Sequence, residues 1–234
     1  LLEMGTGANW TDVETRVIVL VSKPPSREVA ARVLARAAAT RKPVVVCFLG
    51  DAAHSVERDN VFAASTLEQA AAMAAALARG ERPSHAAAGL PAFDIAGFQP
   101  GQAYLRALYS GGTFCYEATL LLADALNGVY SNTAVGDALE LKDVWESQAH
   151  TLVDLGDDEF TRGRPHPMID YRLRNERLLR EAADPEVRAI LFDVVLGYGA
   201  HPDPAAEMAP VLRQANEIAR RGGRTIAWVG FVCG

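Results

Sequence analysis

The chain has 234 residues, half of them hydrophobic, with a formal net charge of -6 and a pI near 5.4. That length and apolar content support one large core or two smaller ones, and the acidic balance without any basic run excludes a nucleic-acid surface, which needs clustered Lys and Arg. No apolar run reaches membrane-spanning length and no signal-peptide pattern is present, so no membrane partner is expected and the cytoplasm is the expected compartment.

Arg16–Val21, RVIVLV, is a β-branched apolar run followed by the turn residues SKPPS, which predicts a buried strand. Ser26 is placed to cap a helix through about Ala39, and PVVVCFLG, Pro43–Gly50, predicts a second buried strand, so this rhythm implies a right-handed parallel crossover. VFAA predicts a short third strand. Ser65 to Glu68 reads as a capping box before an Ala-rich helix that Gly80 ends. Residues 81–102 carry three prolines and no clear period and read as a linker.

A second α/β rhythm follows: strand AYLRALYS, turn GGT, helix FCYEATLLLADAL stopped at Asn127-Gly128, and strand HTLVDLG. Then come helix IDYRLRNERLLREAA, strand AILFDVVLG, a glycine loop, helix DPAAEMAPVLRQANEIARRGG and strand TIAWVGFV. The expected fold is α/β, with two flavodoxin-like, doubly wound parallel-sheet modules, the first incomplete. The chain begins without an initiator Met and stops directly after a strand, which suggests an internal piece of a longer protein. Cys47, Cys115 and Cys233 have neither paired nor metal-type spacing and read as buried thiols in a reducing compartment.

Loops at the carboxyl ends of parallel strands face one crevice, and three such loops belong to the second module. In YSGGTFCYEA, Gly111 and Gly112 allow a ligand to approach the backbone, the helix opening at Thr113 aims its positive end there, and Ser110 and Thr113 add hydroxyls. An ordinary glycine turn capped by Thr113 fits the same residues. In LGDDEFTRGRPHPMID, Leu155–Asp170, four acids share one short loop with Gly156, Arg162, Arg164 and His166. Close carboxylates need compensating charge, supplied internally by those cations or by a metal ion; a lone histidine lacks ligand spacing, and no metal is assigned. Pro165 and Pro167 stiffen the backbone around His166, and Asp170 is placed as a helix N-cap. A solvated charged loop is the alternative. In DVVLGYGAHPDP, Gly197 and Gly199 again permit close approach, with Asp203 and Pro204 as N-cap and N1 types, but a lone GxG is no dinucleotide fingerprint. Lys23 in SKPPS could meet an anion at its own strand end, although a rigid loop with a solvated lysine explains it as well. His54 follows the second strand; His85 and His150 look structural.

The runs VSKPP, KPVVVCFLG, YSGGTFCYEA, VDLGDDEFTRGRPHPMID and ILFDVVLGYGAHPDPA resemble those of FdrA-type proteins, acyl-CoA synthetase-like relatives of succinyl-CoA synthetase. The resemblance spans nearly the whole chain, and GRPHPMID with DVVLGYGAHPDP is its most specific part. It implies a Rossmann-type CoA-binding-like domain ahead of two ligase domains. Residues 1–80 would be part of the first, which resembles the synthetase α subunit, 81–102 the linker, and 103–234 most of the second, which resembles the carboxyl domain of the β subunit. In the synthetases two helix amino termini converge on a phosphohistidine within Gly-His-Ala-Gly-Ala, and the helix opening at Gly112-Thr113 would be one of them. After KPVVVCFLG this chain reads DAAHSVERDN instead. The resemblance therefore implies direct acyl or carbamoyl transfer through a phosphate-bearing substrate, as in an oxamate carbamoyltransferase of purine or allantoin catabolism, without that relay. Within it, Ser110, Gly111, Gly112, Thr113, Gly156, Gly197, Gly199 and Lys23 would bind the anion. His166 would be a general acid or base, or an oxyanion stabiliser, with Arg164 and Asp170 beside it. No cofactor is firmly implied for this stretch; CoA or ATP would belong to the full-length protein. The expected partners are a small anionic substrate and either further copies of the chain or other catabolic enzymes. The competing expectation is a non-catalytic scaffold subunit on a ligase fold.

Overall fold

The run Ile18–Ser22 forms strand β1, and Val44–Phe48 forms β2, which is buried at every position because it lies at the centre of its sheet. Helix α1, Arg27–Ala38, connects them, and its N-cap Ser26 accepts from the Val29 N–H. Strand β3, Val61–Ala63, completes a parallel sheet ordered β1-β2-β3, and helix α2, Leu67–Ala78, follows. The computed structural model describes residues 10–51, 59–84 and 96–233, so His54 and His85 lie outside the described residues. The chain divides into two compact units, Leu1–Pro91 and Ala92–Gly234.

The first unit packs Ile18, Leu20, Val44, Val46 and Phe48 of the sheet against Ala30, Val33 and Leu34 of α1. Asn60 ties its base together by donating to the carbonyls of Ala37 and Lys42. The capping box of α2 is shifted by one residue from the sequence expectation: Thr66 is the N-cap and accepts from the Gln69 N–H, while the Gln69 side chain accepts from Ser65. Gln69 does the work assigned to Glu68.

The second unit contains β4 Tyr104–Tyr109, α3 Gly112–Ala125, β5 Val129–Ser131, β6 Leu139–Glu140 and β7 His150–Asp154. After these come α4 Asp158–Thr161, α5 Arg172–Ala183, β8 Val187–Val195, α6 Pro204–Arg221 and β9 Ala227–Cys233. The sheet is parallel throughout, in the order β6-β5-β7-β4-β8-β9. Side-chain alternation along the strands divides the core between its faces. Ala107, Tyr109 and Leu152 meet α3 on one side. Leu108, Val153, Ile190 and Phe192 meet α5 and α6 on the other. The mixed α/β architecture expected from the sequence is the one observed, and helices on both faces of this sheet make it doubly wound.

Three sequence expectations change. β5 and β6 were not anticipated, the charged loop contains the short helix α4, and α5 begins at Arg172 rather than directly after Asp170. Tyr171 occupies its N-cap position without a side-chain cap, and Asp170 accepts from the Arg172 N–H instead. By contrast Asp203 caps α6 by accepting from the Ala206 N–H, with Pro204 at the first helical position. Among the described residues, no helix is long and apolar enough to cross a membrane.

Candidate functional site

The connection leaving β4 runs to one side of the sheet and the one leaving β8 runs to the other, so the carboxyl ends of these neighbouring strands flank a switch-point crevice. The loop after β4 opens α3. Its N-cap, Gly111, has an extended backbone, φ −164° and ψ 153°, and contributes no side-chain cap. The first N–H groups of a helix have no partner within it, and the macrodipole adds positive potential at the same place. Nothing lies within 4 Å of where a Gly111 Cβ would be, so this face of the turn is open to a ligand. Thr113 is exposed there.

Ser110 departs from its expected role. Its N–H and its hydroxyl both donate to Asp193 Oδ1, at 2.9 and 2.7 Å, and the residue is 2% exposed. A hydroxyl has one hydrogen, so with that hydrogen on Asp193 it has none to offer an anion. Ser110 shapes the turn; the donors facing the crevice belong to the first turn of α3.

The charged loop brings His166 to the same place. Its Nδ1 accepts from the Met168 N–H at 3.2 Å, which in the neutral ring assigns the proton to Nε2. Gly156 is the spacer here. A Cβ on it would lie 2.7 Å from the Ser110 carbonyl, 2.8 Å from His166 Nε2 and 3.1 Å from Asp154 Oδ1. Asp154 itself accepts from the Gly156 N–H at 2.9 Å, and the Asn132 side chain bridges its backbone. The loop after β8 joins in, with the His201 N–H donating to the Met168 carbonyl at 2.9 Å. Gly197 and Gly199 in that loop have φ of 122° and 82°, backbone that favours glycine.

The expected set is therefore only partly assembled. Ser110, Gly111, Gly112, Gly156 and His166 converge. Arg164 and Asp170 instead line a cavity of about 300 Å³ with Pro165, Pro167 and Arg172, to which His166 does not contribute. The expected pairing of the loop's arginines with its own acids is not what orders it. Asp157 caps α4, Arg164 stacks on Trp145 at 5.5 Å, and Asp170 pairs with Arg172. The hydrogen bonds from Arg172 hold the Asp170 carboxyl below its ordinary range, which suits an ion-pair partner better than a base. Lys23 is exposed at the end of β1 in the first unit. Cys47 and Cys115 are buried, and burial pushes the Cys115 thiol up to about 12, leaving it inert; Cys233 is half-buried. Among the described residues no group of three or more His, Cys, Asp and Glu is placed to hold a metal ion.

Two residues under the crevice escaped the sequence reading. Arg174 on α5 and Asp193 on β8 are each 0% exposed and pair through Arg174 Nη1 and Asp193 Oδ1 at 2.8 Å. Their signal was available. Asp193 interrupts the apolar run AILFDVV, and Arg174 falls on the same helical face as Leu178, Glu181 and Ala182, all of them buried.

A parallel, doubly wound sheet with an uncapped helix amino terminus at its switch point defines a class of ligand-binding α/β domain. The sequence profile of the CoA-ligase family matches residues 108–234. The chain belongs to that family, within the succinyl-CoA synthetase superfamily. It is also similar to the uncharacterized protein YahF of Escherichia coli (strain K12), 41% identical over 227 residues, which covers 95% of this chain and 44% of that relative. The chain thus spans less than half the length of that relative.

Proposed function

We propose that the chain is the ligase-fold part of an FdrA-type protein that moves an acyl or carbamoyl group through a phosphate-bearing substrate. The observation that carries this reading is the open, uncapped head of α3 at the switch point, within the stretch matched by the CoA-ligase family. Aligned N–H groups and the helix dipole favour a phosphoryl group there and stabilise the charge that gathers on it as it leaves. With Nδ1 occupied by the Met168 N–H, the neutral His166 ring has its proton on Nε2, where it can donate to a carbonyl or leaving oxygen held between Gly156 and the α3 head. Arg164, exposed on the outer side of the loop, would attract the anion rather than touch the reacting atoms. CoA or ATP enters this reading only as a co-substrate. Oxamate carbamoyl transfer in purine or allantoin catabolism is the reaction that best suits it, performed by further copies of the chain or alongside other catabolic enzymes in the cytoplasm.

Gly111→Val tests the placement. Extended backbone accepts a β-branched residue, and open space surrounds the new side chain, so the variant should fold while covering the approach to the helix head. Titration with inorganic phosphate and with carbamoyl phosphate, followed by 31P NMR, should show binding to the wild type and a loss of about tenfold or more in the variant. Equal affinity in both, with near-UV circular dichroism unchanged, would place the site elsewhere.

A further inference from the structure

The buried pair beneath the α3 head is more elaborate than packing requires. Asp193 Oδ1 takes three donors, the Ser110 N–H at 2.9 Å, the Ser110 hydroxyl at 2.7 Å and Arg174 Nη1 at 2.8 Å. Arg174 Nη1 also donates to the Asp193 carbonyl, and the guanidinium lies 4.0 Å from the centre of the Tyr171 ring. Yet Arg174 Nε and Nη2 and Asp193 Oδ2, all buried, have no hydrogen-bond partner among the described residues. An ion pair buried with unsatisfied atoms is a poor stabiliser compared with apolar residues of the same volume. Its position suggests a different use. Ser110 is two residues before the first residue of α3, so the Asp193 carboxylate lies within about 10 Å of the first helical N–H groups. At that distance an uncompensated carboxylate would repel an anion bound there.

We propose that Asp193 and Arg174 are positioning residues of the anion site. Asp193 engages both Ser110 donors, which fixes the turn and leaves the α3 N–H groups to face the ligand. Arg174 cancels the charge that Asp193 would otherwise place beneath it. This rests on the reading that a phosphate-bearing anion binds at the α3 head, and it makes that site's affinity depend on the sign of the buried charge. The nearby carboxylate of Asp154, which accepts from the Gly156 N–H, is left in place by every substitution below, so changes between variants report the pair.

The test is titration of the 234-residue chain with inorganic phosphate, by calorimetry and 31P NMR. Arg174→Met should weaken binding by about tenfold or more, because it leaves Asp193 uncompensated. Asp193→Asn should bind as tightly as wild type or more tightly, and the double variant should return to within about threefold of wild type. A purely structural pair would make both single variants lose affinity together, and that result overturns the proposal. Should Arg174→Met fail to fold, Asp193→Asn still decides the matter, since its amide oxygen can accept from Ser110 while the charge is gone, and weaker binding there contradicts the proposal. Absence of phosphate binding in the wild type would remove the parent reading and this one with it. Binding in the wild type without the charge order would remove only the role of the pair.

Discussion

At the scale of single residues, Gly156 and Gly111 are the same amino acid kept for opposite reasons. Gly156 is enclosed, and a methyl group there would overlap the Ser110 carbonyl, the His166 ring and the Asp154 carboxylate. Gly156→Ala should therefore cost about 1–3 kcal/mol through overpacking, read as a lower urea midpoint at unchanged m-value. Gly111→Ala, with nothing near the new atom, should cost no more than about 1 kcal/mol as a poorer N-cap. Equal losses would mean that the three groups around Gly156 give way easily. His150 makes a pH-dependent contribution. Burial first, and the Arg106 charge second, hold its pKa below the ordinary 6.5, and its Nδ1 accepts from the Leu105 N–H at 3.1 Å. The unfolded chain therefore takes up this proton before the folded one does. The resulting stability is present above the ordinary histidine value and is lost as pH falls through the lower folded one. Between about pH 7.5 and about pH 5, melting temperature should fall more in wild type than in His150→Asn, whose amide oxygen can still accept from Leu105. A matching fall in both would show that His150 does not titrate this way.

At the scale of elements, what was legible in the sequence depended on how many residues carried the pattern. The long runs behind β1, β2, β4, β7, β8 and β9 announce themselves by apolar content, and α6 by Asp203-Pro204 at its start. β5 and β6, with three and two residues, lack the apolar run VFAA that marks the three-residue β3; their pairing with β7 and with each other creates them. The α2 cap slipped by one because Ser65 and Thr66 are both competent caps, and Gln69 rather than Glu68 reaches back. Within the site, glycines at turns were readable because they mark special backbone or close approach. Ser110 was misread because a hydroxyl's direction depends on a partner 83 residues away in sequence. Helix α5 shows the same limit on a larger scale. Its many charges suggest a solvated helix, yet Arg174, Arg177 and Glu181 are buried. Glu181 receives Arg106 Nε at 2.9 Å and Arg177 Nε at 2.5 Å, and Ser147 adds a hydroxyl to the same carboxylate. Charge on this helix faces inward because the sheet beneath supplies complementary charge, Arg106 on β4 for Glu181 and Asp193 on β8 for Arg174.

At the scale of the whole molecule, the second unit builds its core from its own residues. All six strands of the larger sheet come from the second unit, and both core clusters flanking that sheet are built from its own residues. Its ends are tied within the unit as well: the Gln102 side chain donates to the carbonyls of Val187 and Thr225, and Arg224 donates to those of Ala182 and Asp184. A domain of this size buries about two thirds of the surface its unfolded chain exposes, enough for cooperative folding. A fragment of residues 96–234 should therefore fold alone, with one urea transition seen equally by far-UV and near-UV circular dichroism, and should retain the phosphate affinity of the longer chain if the α3 head is the site. Its weak point is β9, the outer strand of the sheet, where Val229 and Val232 are 46% and 65% exposed in a strand that carries no charge to discourage edge pairing. Val232→Lys should accordingly lower aggregation of the fragment, measured by light scattering, without shifting its urea midpoint by more than about 0.5 kcal/mol equivalent. Separate far-UV and near-UV transitions, or dye binding typical of loosened packing, would show instead that the second unit's core needs the first.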